Sequence, residues 1–229
     1  MKKIILIIDP FQKEPATDAL NTLSELSSRL ISEKRLINTY LEFYFPLQGK
    51  KSLSEYLRKI QKENKSLLCV ISLGSYTNIT DKAEWVENLG IELKKYIIEQ
   101  YIPFLGICFS HQLLCHIYNS NINFILNRDL LPEKKFNEFR KIDIIHPTLS
   151  KILNGKKSFI SMAKHEQEVT EISHESLEII CSSSACKVEG VMHKIYPAFS
   201  FQSHPEEFHE SGDGFYLLES FLRFFLEKT

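Results

Sequence analysis

The 229-residue sequence has no excess of either charge: 28 Lys and Arg stand against 29 Asp and Glu, a formal net charge of -1. A surface so balanced offers no broad field for a nucleic-acid backbone or an anionic membrane. Long hydrophobic runs are missing as well. Met1-Lys2-Lys3 leads only into Ile4 to Ile8 before Asp9 ends the run, too short for the core of a secretory signal, and no stretch approaches a membrane span. Paired cysteines are absent: Cys69, Cys108, Cys115, Cys181 and Cys186 show neither metal-type spacing nor a disulfide framework. Free thiols in a reducing, cytoplasmic compartment are the expectation. No internal repeat, low-complexity tract or linker interrupts the chain, so one domain over 1–229 is expected. What is present suits that picture, with 43% hydrophobic residues to fill a core and 25% charged residues to solvate it.

Short β-rich apolar runs alternate with helical stretches, the signature of a parallel sheet wrapped by helices. Ile4 to Ile8 reads as a buried strand. Ala16 to Leu36, with Leu20, Leu23, Leu26, Leu30 and Ile31 at helical spacing after Pro15, reads as an amphipathic helix. Thr39 to Phe45 is a second strand and Ser52 opens a helix to Lys62. Leu67 to Leu73 is a near-continuous apolar strand halted by Gly74. A helix over Lys82 to Gln100 and a strand over Ile102 to Ile107 follow. Phe109 or Ser110 then begins a helix. From Ile122 to Tyr196 the units shorten into strands and turns, which predicts antiparallel additions to the sheet. Gly214 to Phe225 is a closing helix rich in Leu and Phe.

The chemistry concentrates at two places. Leu105-Gly106-Ile107-Cys108-Phe109-Ser110-His111-Gln112 sets a cysteine on the turn between a buried strand and a helix, the geometry of a nucleophile elbow. Such a turn lifts the side chain out at the carboxyl end of the sheet, near the positive end of a helix, where a thiolate is favoured. A cysteine taken alone is more often a small buried hydrophobe. Acyl transfer also needs a base that can protonate the leaving amine, oriented by a third group. Phe201-Gln202-Ser203-His204-Pro205-Glu206 supplies both, because residues two apart on an extended segment face the same way. The third need is a pair of donors for the oxyanion. The Phe109 N–H and the backbone at Gly74, closing the neighbouring strand, are the candidates.

Gly106-Ile107-Cys108-Phe109-Ser110-His111-Gln112 together with Phe201-Gln202-Ser203-His204-Pro205-Glu206 resemble the two signature motifs of class I glutamine amidotransferases. Gly74-Ser75 with Asn78, Asp81 and Trp85 is similar to the oxyanion-strand region of the subgroup like the glutaminase domain of GMP synthase. His165-Glu166-Gln167-Glu168-Val169 resembles that family's His-x-Asp-x-Val pocket segment. The resemblance runs from Leu67 to Phe208. It implies an α/β fold, a three-layer, open, mostly parallel sheet with helices on both faces, flavodoxin-like. By position it implies Cys108 as nucleophile, His204 as base and acid, Glu206 as orienter, and Gly74 and Phe109 as oxyanion donors. Gln112 would contact the substrate glutamine and the backbone around His165 its α-carboxylate. No cofactor and no metal are expected. His204, Glu206, Glu207, His209 and Glu210 crowd together, yet Pro205 and the lack of a His-x3-His or Cys pair argue against a zinc site.

Three places depart from the family pattern. Ser110 replaces the second elbow glycine, which would set the helix slightly farther from the strand. Asn119-Ser120-Asn121 replaces a Gly-Gly after the elbow helix, and Glu168 replaces the pocket aspartate. The expected substrate is glutamine or a γ-glutamyl compound, cleaved through a thioester. The sequence contains no synthetase domain to consume ammonia, so a glutaminase would serve a separate synthase or acceptor subunit or release ammonia outright. A γ-glutamyl peptidase is the runner-up and a non-catalytic regulator of the same fold the third reading.

Overall fold

The computed structural model describes residues 2–11, 16–33, 37–48, 51–125, 138–207 and 209–226. The first half is a run of strand–helix units: β1 (Lys2–Ile8), α1 (Thr17–Ser32), β2 (Thr39–Tyr44), α2 (Leu53–Lys62), β3 (Lys65–Ser72), α3 (Glu84–Tyr96), β4 (Phe104–Ile107) and α4 (Phe109–His116). Then come β5 (Asn121–Phe124), β6 (Glu138–Ile144), α5 (Pro147–Ile152), β7 (Ser158–Ala163) and β8 (Gln167–Glu171). The chain continues through β9 (Leu177–Ser182), β10 (Gly190–His193), β11 (Ala198–Phe201) and α6 (Gly214–Leu226).

Among the described residues nine strands form one open sheet in the order β2-β1-β3-β4-β11-β10-β9-β6-β7, and β5 pairs with β8 alone. From β2 to β11 every pairing is parallel; from β11 to β7 every pairing is antiparallel. The antiparallel additions expected beyond Ile122 are therefore the far half of the sheet. β11 is the seam, parallel to β4 on one side and antiparallel to β10 on the other.

Period-two alternation along β1 divides the core. Ile5 and Ile7 pack with Leu23, Leu26 and Leu30 of α1 and Leu217, Phe221 and Phe225 of α6. Ile4, Leu6 and Ile8 pack with Leu57 of α2, Leu89 of α3 and Leu113 of α4. A sheet with helices on both faces makes three layers. Phe221 is fully buried, its ring 5.1 Å from Phe199, 5.4 Å from Phe201 and 5.8 Å from Phe225. Phe221→Ala is expected to cost ~3–5 kcal/mol of unfolding free energy, read by urea titration, because the surrounding rings cannot close the void.

Several expected bounds shift. Pro15 and Leu36 lie outside the described residues, and α1 occupies Thr17–Ser32. The helix expected over Lys82 to Gln100 starts later, because Lys82 is left-handed at φ 51°, and it breaks after Tyr96 into a 3₁₀ turn over Ile98–Gln100. α5 was not foreseen. Pro147 stands at its first position and His146 Nδ1 accepts from the Thr148 N–H at 3.1 Å, a local cap at a length that no periodicity argument reaches. Ser52 caps α2 with a reciprocal pair: its Oγ accepts from the Glu55 N–H and Glu55 Oε2 accepts from the Ser52 N–H. Asn119 holds φ 57° where the family pattern has glycine, a conformation that asparagine tolerates.

Candidate active site

β4 is four buried residues that end in a sharp turn. Cys108 sits on that turn at φ 50° and ψ −103°, while its own N–H remains bonded to the Phe201 carbonyl at 2.8 Å. A non-glycine residue held at positive φ costs on the order of 1–3 kcal/mol and persists only where its surroundings enforce it. Gly106 is one enforcing element. A Cβ there would lie 2.8 Å from the Ser110 carbonyl oxygen, so the first turn of α4 rests directly on the strand. Ser110 stands in this contact. Its Oγ is fully buried and donates to the Leu73 carbonyl at 2.7 Å.

Past β11 the chain does not stay extended as expected: residues 205–206 form a turn, with the Glu207 N–H on the His204 carbonyl at 3.2 Å, and it is this turn that sets Glu206 beside His204, both buried together with Gln202. The His204 N–H is anchored on the Met162 carbonyl at 2.7 Å. His204 Nδ1 is 2.8 Å from Glu206 Oε1, and Nε2 is 3.2 Å from the Lys164 carbonyl. Cys108 Sγ lies 3.6 Å from that same carbonyl oxygen. The sulfur and the imidazole thus converge on one backbone acceptor, joined there from β4 and the segment after β11. Gln202 Nε2 donates toward the sulfur at 3.7 Å.

Burial opposes a charge on His204, but the Cys108 thiolate and then the Glu206 carboxylate outweigh it and hold the imidazole's pKa well above its ordinary value. The geometry agrees. Both ring nitrogens face acceptors, which only the imidazolium satisfies with two N–H donors.

Gly74 closes the third side. A Cβ on it would come within 3.1 Å of His204 Cε1 and 3.6 Å of Cys108 Cβ, so its backbone approaches the pair as no larger residue does. Phe109 opens α4, where first-turn N–H groups have no intrahelical acceptor. Its ring stacks on Trp85 at 5.6 Å.

A cavity of about 480 Å³ opens on Cys108, walled by Phe109 and Gln112, by Ser75 to Asn78, and by Lys164 to Gln167. Gln112 lines it with its amide protons already engaged, Nε2 donating to the Gln167 carbonyl at 2.7 Å and to Gln202 Oε1 at 3.2 Å. His165 also lines it. Its Nδ1–H donates to the Gln167 carbonyl at 2.9 Å, and burial pushes its pKa down to about 4, so the ring is neutral at physiological pH. Glu168 is not among the lining residues.

Sequence reasoning missed three contributors. Gln202 carried a signal, its place in the Phe201–Glu206 motif two residues before His204. Gln167 ties the wall together: its Oε1 accepts from the Ile79 N–H at 3.0 Å and its carbonyl accepts from both Gln112 and His165. The Lys164 carbonyl is a main-chain group, invisible to any reading of side chains. Elsewhere, Glu207 pairs with Lys164 and His209 Nδ1 with the Ser211 hydroxyl, so neither is directed at His204 or Glu206.

Residues 57–224 match the family model "Glutamine amidotransferase class-I". Among curated proteins, the glutamine-hydrolyzing GMP synthase subunit of Methanothermobacter thermautotrophicus is 28% identical over 56% of this chain and 63% of its own length. The protein of the same name from Methanococcus vannielii is 30% identical over 68% of this chain and 72% of its own. The match thus spans less than two thirds of the length of the first of these relatives. A crystal structure of a glutamine amidotransferase from Thermotoga maritima superposes with a TM-score of 0.70 at 13% identity, covering 99% of this chain and 98% of that one, which shows a shared fold. With the family model matching well over half of its length, the chain belongs to the class I glutamine amidotransferases.

Proposed function

We propose that the chain hydrolyses the γ-amide of glutamine or of a γ-glutamyl compound through a thioester on Cys108. The observation that carries this reading is the convergence of Cys108 Sγ and His204 Nε2 on the Lys164 carbonyl, with Glu206 behind the imidazole. The thiolate attacks the amide carbonyl carbon, and the oxygen takes the electron pair as an oxyanion between the Phe109 and Gly74 N–H groups. As the tetrahedral adduct collapses, the C–N bond breaks and His204 Nε2 gives its proton to the leaving amine. Neutral His204 then takes a proton from water, hydroxide attacks the thioester, and the C–S bond breaks to restore the thiolate and release the γ-carboxylic acid, whose proton passes to the released ammonia or to water. Glu206 keeps Nδ1 protonated, so that Nε2 is the nitrogen that trades protons. Gln202 stabilises the sulfur's charge. Each step balances within the chain, its amide substrate and water.

The names of the curated relatives support a division of labour in which a separate synthase polypeptide consumes the ammonia; this chain's acceptor would then lie on another chain. Purified chain offered glutamine, a γ-glutamyl dipeptide and a γ-glutamyl thiol conjugate tests the reading. Release of glutamate from at least one of them is expected. No turnover of any, together with no covalent labelling of Cys108 by a glutamine-like electrophile, would refute it.

Gly74 provides a sharper check. Gly74→Ala puts a methyl group 3.1 Å from His204 Cε1, so the ring must yield by a few tenths of an ångström or more. A loss of about 10²-fold in kcat is expected, with the fold retained, because small displacements at reacting groups are expensive. Steady-state kinetics beside a circular dichroism melt would measure it.

A further inference from the structure

Ser110 touches neither the cavity nor the sulfur, is wholly buried, and stands where the resemblance has glycine. A buried hydroxyl must be satisfied, and this one is satisfied by the neighbouring strand. Ser110 Oγ donates to the Leu73 carbonyl at 2.7 Å and lies 2.7 Å from Ser72 Oγ. A hydroxyl has one proton. Since that of Ser110 is committed to Leu73, the Ser72 hydroxyl donates to Ser110, and the chain of bonds has a single direction. Ser72 is the last residue of β3, and β3 pairs with β4 at Ser72 and Gly106. The clip therefore joins the first turn of α4 to the end of β3 across the one place where glycine lets helix and strand meet.

The consequence lies in the peptide that follows. The Leu73 carbonyl and the Gly74 N–H belong to one planar trans unit and point in opposite directions. Holding the carbonyl on Ser110 turns the N–H away from Ser110, at a residue whose backbone lies against the pair: a Cβ built on Gly74 would come within 3.1 Å of His204 Cε1 and 3.6 Å of Cys108 Cβ. Among the described residues, the other backbone anchor of Leu73 is its own N–H on the Ile8 carbonyl at 2.9 Å, on the far side of its Cα, whereas the Ser110 hydroxyl bonds to the following peptide itself. From this geometry we propose that Ser110 is a positioning residue: its hydroxyl sets the Leu73–Gly74 peptide so that the Gly74 N–H faces the oxyanion. Phe109 and Ser110, adjacent on one helical turn, then supply one donor directly and aim the other. The inference rests on the amidase reading above for its catalytic meaning, and on the hydrogen bonds alone for its structural part.

Three measurements on Ser110→Ala, with Ser110→Gly as the second variant should alanine disturb folding, test it. Turnover of the best amide substrate is expected to fall about 10²-fold in kcat with KM nearly unchanged, because an oxyanion donor acts in the transition state. Alkylation of Cys108 by iodoacetamide, a displacement at saturated carbon that forms no oxyanion, is expected to keep its wild-type rate. The Gly74 amide in a ¹⁵N correlation spectrum is expected to shift or broaden. A parallel fall in alkylation and turnover would mean that the elbow itself had been disturbed and would overturn the proposal. Unchanged turnover, or an unmoved Gly74 amide, would overturn it equally. Should the wild-type chain turn over no amide at all, the amidase reading fails separately, and the Gly74 amide still decides whether Ser110 holds that peptide.

Discussion

Cys108→Ala is expected to abolish turnover, lowering kcat about 10⁴-fold or more in a glutamate-release assay, and to leave the protein folded. Covalent catalysis has no substitute route once the only positioned nucleophile is gone, and the other members of such a unit recover little alone. Folding survives because alanine keeps the apolar character of a site that is 6% exposed and places no new polar group there. The same chemistry predicts where a reactive glutamine analogue such as diazo-oxo-norleucine will attach. Cys69, Cys115, Cys181 and Cys186 are buried, and burial pushes each thiol upward, that of Cys69 to about 12; at Cys186 burial and the nearby Glu189 outweigh the opposing pull of Arg140. Cys108 alone faces the cavity beside an imidazolium. Peptide mapping is expected to find the label on Cys108; label spread over the other four would sink the assignment. A third readout follows from coupling. The thiolate is the leading influence that raises His204 against its burial, so in Cys108→Ala the imidazole's pKa is expected to drop, measurable by NMR titration of its ring protons.

The parallel half of the fold was legible because each unit obeys a local rule. The strands are continuous apolar runs, the helices carry apolar residues at helical spacing, and Ser52 announces α2 with a capping box. Gly74, Gly106 and Cys108 were legible for a related reason: a turn between buried strand and helix places side chains before any tertiary contact is known. His204 and Glu206 were legible as a short motif, but a turn closed by the Glu207 N–H on the His204 carbonyl, not alternation along an extended segment, brings them together. What escaped had no local signature. α5 has six residues, held by a histidine cap and a proline. The break of α3 into a 3₁₀ turn lies between Ile97 and a left-handed Tyr101 at φ 58°, with no breaker residue at either position. The pairing of β6 with β9 and β7 joins segments whose alternation is compatible with several partners. At the site, the common acceptor is the carbonyl of an exposed lysine, and the role of Ser110 depends on which strand end lies above it. Both are properties of assembled backbone.

Glu206→Gln separates orientation from charge at nearly constant shape. Glu206 Oε1 accepts from His204 Nδ1 at 2.8 Å, and a glutamine carbonyl oxygen retains an acceptor there. What is lost is a negative charge beside a buried imidazolium. For His204 the balance is explicit: burial lowers its pKa, and Cys108 and Glu206 raise it well above the ordinary value. Removing the Glu206 charge lets burial count for more, so the pKa moves down. Because a raised pKa keeps the ring protonated to higher pH, the wild-type imidazolium persists through neutrality and is lost on the alkaline side. The variant must lose it at lower pH. The alkaline limb of the kcat/KM profile is therefore expected to move to lower pH, and kcat at neutral pH to fall about 10²-fold as the general acid loses occupancy and tautomer control. A profile across pH 5 to 10, about the range over which histidine and its perturbed forms titrate, with each variant's fold checked at both ends, measures both effects. An alkaline limb coincident with that of wild type would mean that Glu206 braces the loop through its packing alone, leaving Cys108 as the source of the charge on His204.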